Sequence, residues 1–193
     1  MIIGIYGGSF DPVHSGHAMV ANFIAQCGIV DKVWMMVNKR NPLKSNKTTA
    51  PDINRLEMVR KVAEICNNVE VTDIELDLPS PSYTYDTLCE LKKRYPDHTF
   101  RIIIGSDSYY SLDKWRNHDK IVKEFGLIVY PRPGYPLSET EPANVTFLTG
   151  APEFGISSSL IREYVMSGWN INFFVPVEIA DYITFHKLYL NGQ

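Results

Sequence analysis

An apolar run, Ile2-Ile3-Gly4-Ile5-Tyr6, stops at Gly7-Gly8, and helix-compatible sequence begins at Ser15. A run with no polar alternation is a strand covered on both faces, the kind found where helices flank a parallel sheet. The pattern recurs along the chain. Short apolar runs at 32–37, 100–104, 127–130 and 145–148 alternate with stretches of helical periodicity, which indicates βαβ units. The expected fold class is α/β: an open parallel sheet with helices on both faces and a helical C-terminal end.

Several boundaries can be assigned from local chemistry. Residues 1–6 read as the first strand, 7–13 as a turn, 15–27 as a helix and 38–50 as a polar loop. Asp52 is placed to cap a helix that reaches Cys66. Residues 69–78 read as short extended pieces, 84–95 as a helix and 105–108 as the exit loop of a strand. Pro131, Pro133 and Pro136 remove backbone donors, so the strand before them cannot continue. Helices are expected at 157–167 and 177–185. The chain after the Pro/Gly-rich segment 131–142 is too short to build its own core, so one domain is expected over 1–193.

Composition excludes several function classes. With 45% hydrophobic and 21% charged residues the chain is not expected to be disordered. A net charge of −3 gives no general attraction to nucleic acid or to an anionic membrane, and neither is an expected partner. No apolar stretch approaches a membrane span, and the N-terminal residues lack the basic region of a signal peptide. Cys27, Cys66 and Cys89 are far apart and lack CxxC spacing, which fits free thiols in a reducing compartment. A cytoplasmic protein is expected.

The segment Gly7-Gly8-Ser9-Phe10-Asp11-Pro12-Val13-His14-Ser15-Gly16-His17 links the first strand to the first helix. Ligands of open α/β sheets bind at that end of the strands. Gly7 and Gly8 permit close approach of the backbone, and a helix N-terminus attracts phosphate. The three-residue spacing of His14 and His17 sets both rings on one side of the helix start. Zinc fits less well, because the pair lacks a supporting Glu or Cys, and no metal site is assigned. A second anion site is written in Ile156-Ser157-Ser158-Ser159-Leu160-Ile161-Arg162. Ser157, Ser158 and Ser159 supply hydroxyls and free amides at a helix start, and Arg162 follows one turn later.

These two segments resemble the (H/T)xGH and ISSTxIR motifs of the nucleotidylyltransferase superfamily, with Ser9 and Ser159 where Thr is usual. The resemblance implies a Rossmann-like fold that couples ATP to an acceptor. Further segments are similar to the bacterial nicotinate-nucleotide adenylyltransferases, in order over nearly the whole chain. These are Ser82-Tyr83-Thr84, Ile103-Ile104-Gly105-Ser106-Asp107-Ser108, Asp113-Lys114-Trp115 and Arg132-Pro133-Gly134-Tyr135. The loop after the second strand reads Asn41-Pro42-Leu43-Lys44, so Leu43 stands where that family usually has His.

The resemblance implies transfer of the adenylyl group of ATP to nicotinate mononucleotide, with His14, His17 and Arg162 in catalysis. It implies ATP contacts from Gly8, Ser9, Phe10, Gly16, Gly105, Asp107 and the three serines. It assigns Lys44, Tyr83, Thr84, Trp115, Arg116 and Arg132 to the acceptor, with the pyridine ring on Trp115 and its carboxylate near the Thr84 and Arg116 amides. Mg²⁺ is expected to arrive with the triphosphate. Nicotinamide mononucleotide as acceptor, and a non-catalytic nucleotide-binding protein, remain as alternatives. A pantetheine-phosphate acceptor leaves Tyr83, Thr84 and Trp115 unexplained. A tRNA synthetase fragment lacks a KMSKS-like run and a basic surface. Self-association into a homo-oligomer is compatible with the sequence.

Overall fold

The computed structural model describes residues 1–39 and 50–190. Lys44 and Leu43 lie outside the described residues. Six parallel strands form one sheet in the order β3-β2-β1-β4-β5-β6. They are β1 (Ile2–Gly8), β2 (Lys32–Val37), β3 (Val69–Thr72), β4 (Thr99–Gly105), β5 (Leu127–Tyr130) and β6 (Val145–Phe147). The chain builds outward from β1 to β3, then returns to the other side of β1 with β4. The switch point lies between β1 and β4, and open α/β sheets bind ligands outside the carboxyl ends of their strands at such a point.

Side-chain alternation divides the core between the two faces of the sheet. Tyr6, Met35, Ile103 and Ile128 point to one face. They meet Ile24 of α1 (Ser15–Gln26), Val59 of α2 (Asp52–Glu64), Ile161 of α7 (Ser158–Met166) and Ile183 of α8 (Val177–Phe185). Ile5, Met36, Ile102 and Leu127 point to the other face. There they meet Leu88 and Leu91 of α4 (Thr84–Arg94) and Ile121 of α6 (His118–Glu124). Full burial of such a side chain stabilises by roughly 1.5–3 kcal/mol. The expected parallel sheet, two-sided helical cover and helical C-terminal end are all present. Among the described residues no helix is long and apolar enough to cross a membrane.

Several local expectations need correction. β1 does not end at Tyr6: Gly7 and Gly8 pair with Met36 and Val37, which satisfies their backbone groups, so the turn starts at Ser9. Asp52 does not cap α2. Pro51 occupies the cap position, and the Asp52 carboxylate accepts from Arg55 Nη2 at 2.7 Å. After β3 the chain forms a short helix, α3 (Ile74–Asp77), rather than more extended chain. The exit of β4 is itself a helix, α5 (Ser106–Tyr109), followed by a 3-10 turn at Leu112–Lys114.

Candidate active site

The site is built on the segment between β1 and α1. His14 is the N-cap of α1 and its Nδ1 accepts from the His17 N–H at 3.3 Å. The His17 Nδ1 accepts from the His14 N–H, also at 3.3 Å. The two side chains thus form a reciprocal capping box, a role normally played by Ser or Thr with Glu or Gln. The rings stack 3.6 Å apart with an interplanar angle of 22°. Tyr6 and Phe10 set their rings edge-on to His17, at 6.2 and 5.0 Å between centroids.

This arrangement fixes both tautomers. Each Nδ1 is an acceptor, so each neutral ring carries its proton on Nε2. Protonation would set a second donor against a backbone N–H. Burial, and next the charge of Arg132, bring the His14 pKa down to about 4. Burial holds His17 well below its ordinary value, with smaller contributions from His14 and Arg132. The site therefore presents two neutral N–H donors at physiological pH.

A stability consequence follows from the sign of these shifts. Folded-state pKa values lie below the unfolded value of about 6.5, so below that pH the unfolded chain binds more protons. Stability should fall as pH drops from 6.5 toward 4, by up to about 1.4 kcal/mol per pH unit for each histidine. His14→Asn keeps a capping acceptor but does not titrate. Urea unfolding of this variant should show a shallower loss over that window; an unchanged slope would contradict the assignment.

The second anion segment docks directly on the first. Arg162 Nη1 donates to the carbonyl of Asp11 at 2.6 Å, and Ser158 Oγ donates to the carbonyl of Pro12 at 2.9 Å. Arg162 Nη2 donates to Ser159 Oγ at 3.2 Å. Ser157 caps α7, its Oγ accepting from the Leu160 N–H. The start of α7 is therefore tied to the segment that carries the imidazole pair, although 145 positions separate His17 from Arg162 (162 − 17). Two of the five guanidinium N–H groups are engaged in these bonds.

The β4 side contributes Gly105 and Asp107. A Cβ at Gly105 would fall 2.8 Å from Arg132 Cγ, so this strand end needs glycine to let the arginine cross it. The Arg132 N–H donates to the buried Ser106 Oγ at 2.9 Å, and its Nε lies 3.9 Å from Asp107 Oδ1. Tyr6, Gly16, His17 and Arg132 line one small pocket of about 10 Å³. Arg132 also borders a cavity of about 460 Å³ with Gly134, Tyr135 and Glu153. Phe10 is buried, 1% exposed, with its ring edge-on to those of Tyr6 and His17.

A second cluster lies at the start of α4. Tyr83 is the N-cap and Thr84 the first helical residue, and no side chain caps the amides there. The Arg116 guanidinium lies 4.6 Å from the Tyr83 ring centroid and 3.7 Å from Asp86 Oδ2. Trp115 is partly buried against the Leu88 and Leu112 side of the core. The sequence segments around Tyr83 and Arg116 thus meet.

Arg55 was not among the expected site residues. Its guanidinium is 3% exposed and donates to the Ser9 carbonyl at 2.5 Å and the Asn38 carbonyl at 2.9 Å. It ties the loops after β1 and β2 together. Asp11 and Tyr189 were also missed: the Tyr189 hydroxyl donates to Asp11 Oδ1 at 2.8 Å. These links span 46 and 178 positions, beyond any local sequence pattern.

A family profile described as cytidylyltransferase-like matches residues 5–164. A probable nicotinate-nucleotide adenylyltransferase of Flavobacterium johnsoniae is 39% identical, over 98% of this chain and 99% of its own. A protein of the same description from Bacteroides fragilis is 41% identical, over 89% and 86%. A solved structure of Plasmodium falciparum nicotinic acid mononucleotide adenylyltransferase, complexed with NaAD, shares the fold. It has a TM-score of 0.81 at 24% identity, over 97% of each chain. The chain belongs to the cytidylyltransferase-like family and, within it, to the nicotinate-nucleotide adenylyltransferases.

Proposed function

We propose that this protein transfers the adenylyl group of ATP to nicotinate mononucleotide, giving deamido-NAD and pyrophosphate in NAD biosynthesis. The observation that carries the mechanism is the docking of Arg162 and Ser158 onto the Asp11-Pro12 carbonyls beside the stacked histidines. That locus combines two oriented N–H donors, a guanidinium and a helix start, a set suited to a triphosphate.

The nucleophile is the 5′-phosphate of the acceptor. Its second pKa is about 6, so it is largely ionised at neutral pH without a protein base. An oxygen of that phosphate bonds to the α-phosphorus of ATP as the bond to the bridging oxygen of pyrophosphate breaks. The Nε2–H groups of His14 and His17 stabilise charge at the α-phosphate, while Arg162 and the serines of α7 hold the departing pyrophosphate. Catalysis is positioning plus charge stabilisation. Gly8, Ser9, Phe10 and Gly16 line the phosphates through their backbone, and Gly105 and Asp107 lie along the nucleoside. Among the described residues no group of three or more His, Cys, Asp or Glu is arranged to hold a metal. A magnesium ion would arrive on the triphosphate, held mostly by phosphate oxygens and water.

The acceptor half uses the α4 start. The Thr84 and Arg116 amides face the carboxylate, Tyr83 and Arg132 border the nucleotide, and Trp115 offers its face to the pyridine. Lys44 is assigned to the acceptor phosphate from the sequence alone. Trp115→Ala should raise the acceptor KM by roughly tenfold and leave the ATP KM unchanged; an unchanged acceptor KM would remove the stacking role. We place the reaction in the cytoplasm.

Pyrophosphate release from ATP, measured in parallel with nicotinate and nicotinamide mononucleotide, tests the activity. Release with the acid supports it. Release with the amide alone favours the other acceptor, and release with neither leaves a nucleotide-binding protein.

A further inference from the structure

Two buried residues outside the expected machinery converge on Arg162. Tyr189 follows α8, is 5% exposed, and adopts a φ of 62°. A bulky residue in that left-handed region is strained by about 1–3 kcal/mol unless its surroundings hold it. What holds it here is polar as well as apolar: the hydroxyl reaches Asp11 Oδ1 at 2.8 Å. Asp11 is 4% exposed, and the same oxygen accepts from the Ala50 N–H at 2.9 Å. With both donors on Oδ1, the other oxygen, Oδ2, is turned to Arg162 Nη1 at 4.0 Å. That nitrogen already donates to the Asp11 carbonyl.

We propose that Tyr189 and Asp11 are positioning residues that hold the Arg162 guanidinium in the site. The inference rests on the adenylyl-transfer reading, in which that guanidinium meets the triphosphate. A buried carboxylate needs donors and a facing cation. Tyr189 and Ala50 fix its rotamer, and the fixed rotamer presents charge to Arg162. Burial pushes the Tyr189 phenol far up, so it remains a donor at every working pH. A phenylalanine could fill the same volume but would leave Oδ1 with a single donor. The end of the chain is thereby tied to the residue that joins the histidine segment to the arginine.

The test is a double-mutant cycle on kcat/KM for ATP, read from the initial slope of pyrophosphate release at saturating nicotinate mononucleotide. Tyr189→Phe should lower this value about tenfold, mainly through the ATP KM, with the acceptor KM unchanged. In an Arg162→Ala background the same change should cost less than about twofold. An equal factor in both backgrounds, or no loss in either, overturns the proposal, because a merely structural tyrosine acts independently of Arg162. Should Tyr189→Phe fail to fold, Asp11→Asn takes its place: it keeps Oδ1 as acceptor and removes the charge facing Arg162. The same coupling is expected, and equal losses again overturn the proposal. Absence of release from the unaltered protein with either mononucleotide defeats the functional reading instead. Calorimetric ATP binding by the same four proteins then decides positioning: coupled losses support it, and uncoupled losses or no binding overturn it.

Discussion

His17→Ala is expected to lower turnover by about 10²–10³-fold while the protein stays folded. The variant deletes one Nε2–H donor from the place where charge builds on the α-phosphate, and a single such donor is typically worth that factor. It also removes the acceptor for the His14 N–H and one half of the ring stack. The structural loss is of the order of a helix cap, about 1 kcal/mol. That is small beside a usual domain stability of about 5–15 kcal/mol. A stopped-time pyrophosphate assay with a thermal melt separates the two effects. Near-normal turnover would remove His17 from the chemistry, and a collapsed melt would show that the ring acts mainly in folding.

Arg162→Ala should be at least as damaging, again about 10²–10³-fold, because it takes a full charge from the leaving-group side. Here kcat and the ATP KM should both change, since the guanidinium meets the triphosphate before and during transfer. Lysine should restore little: it keeps the charge but not the fork that lets one side chain hold the Asp11 carbonyl, Ser159 and a phosphate together. Arg162→Ala also leaves the buried Asp11 carboxylate without its facing cation, so some loss of stability is expected. Full recovery by Arg162→Lys would show that point charge alone suffices.

The sequence was informative where chemistry is local. Strands are continuous apolar runs, so β1, β2, β4 and β5 could be read directly, and the histidine and serine motifs marked helix starts. Short helices were not legible. α3 and α5 span four residues each, too few for a helical period to register. Asp52 is a good capping residue in isolation, but Arg55, buried under the loops, engages its carboxylate. The His14–His17 capping box was hidden because imidazoles seldom fill that role. Their neutrality was hidden too, since it follows from burial and from Arg132, whose guanidinium comes from the far side of the switch point. Arg55, Asp11 and Tyr189 became visible only through long-range bonds to carbonyl and carboxylate oxygens.

Two imidazoles and one guanidinium are expected to address a single triphosphate. A crystal structure with a non-hydrolysable ATP analogue tests it most directly. Nε2 of His14 and of His17 should lie within hydrogen-bond distance of phosphate oxygens, with Arg162 on the β- or γ-phosphate of the same molecule. A triphosphate seated away from the β1–α1 segment, with these three side chains untouched, would contradict it.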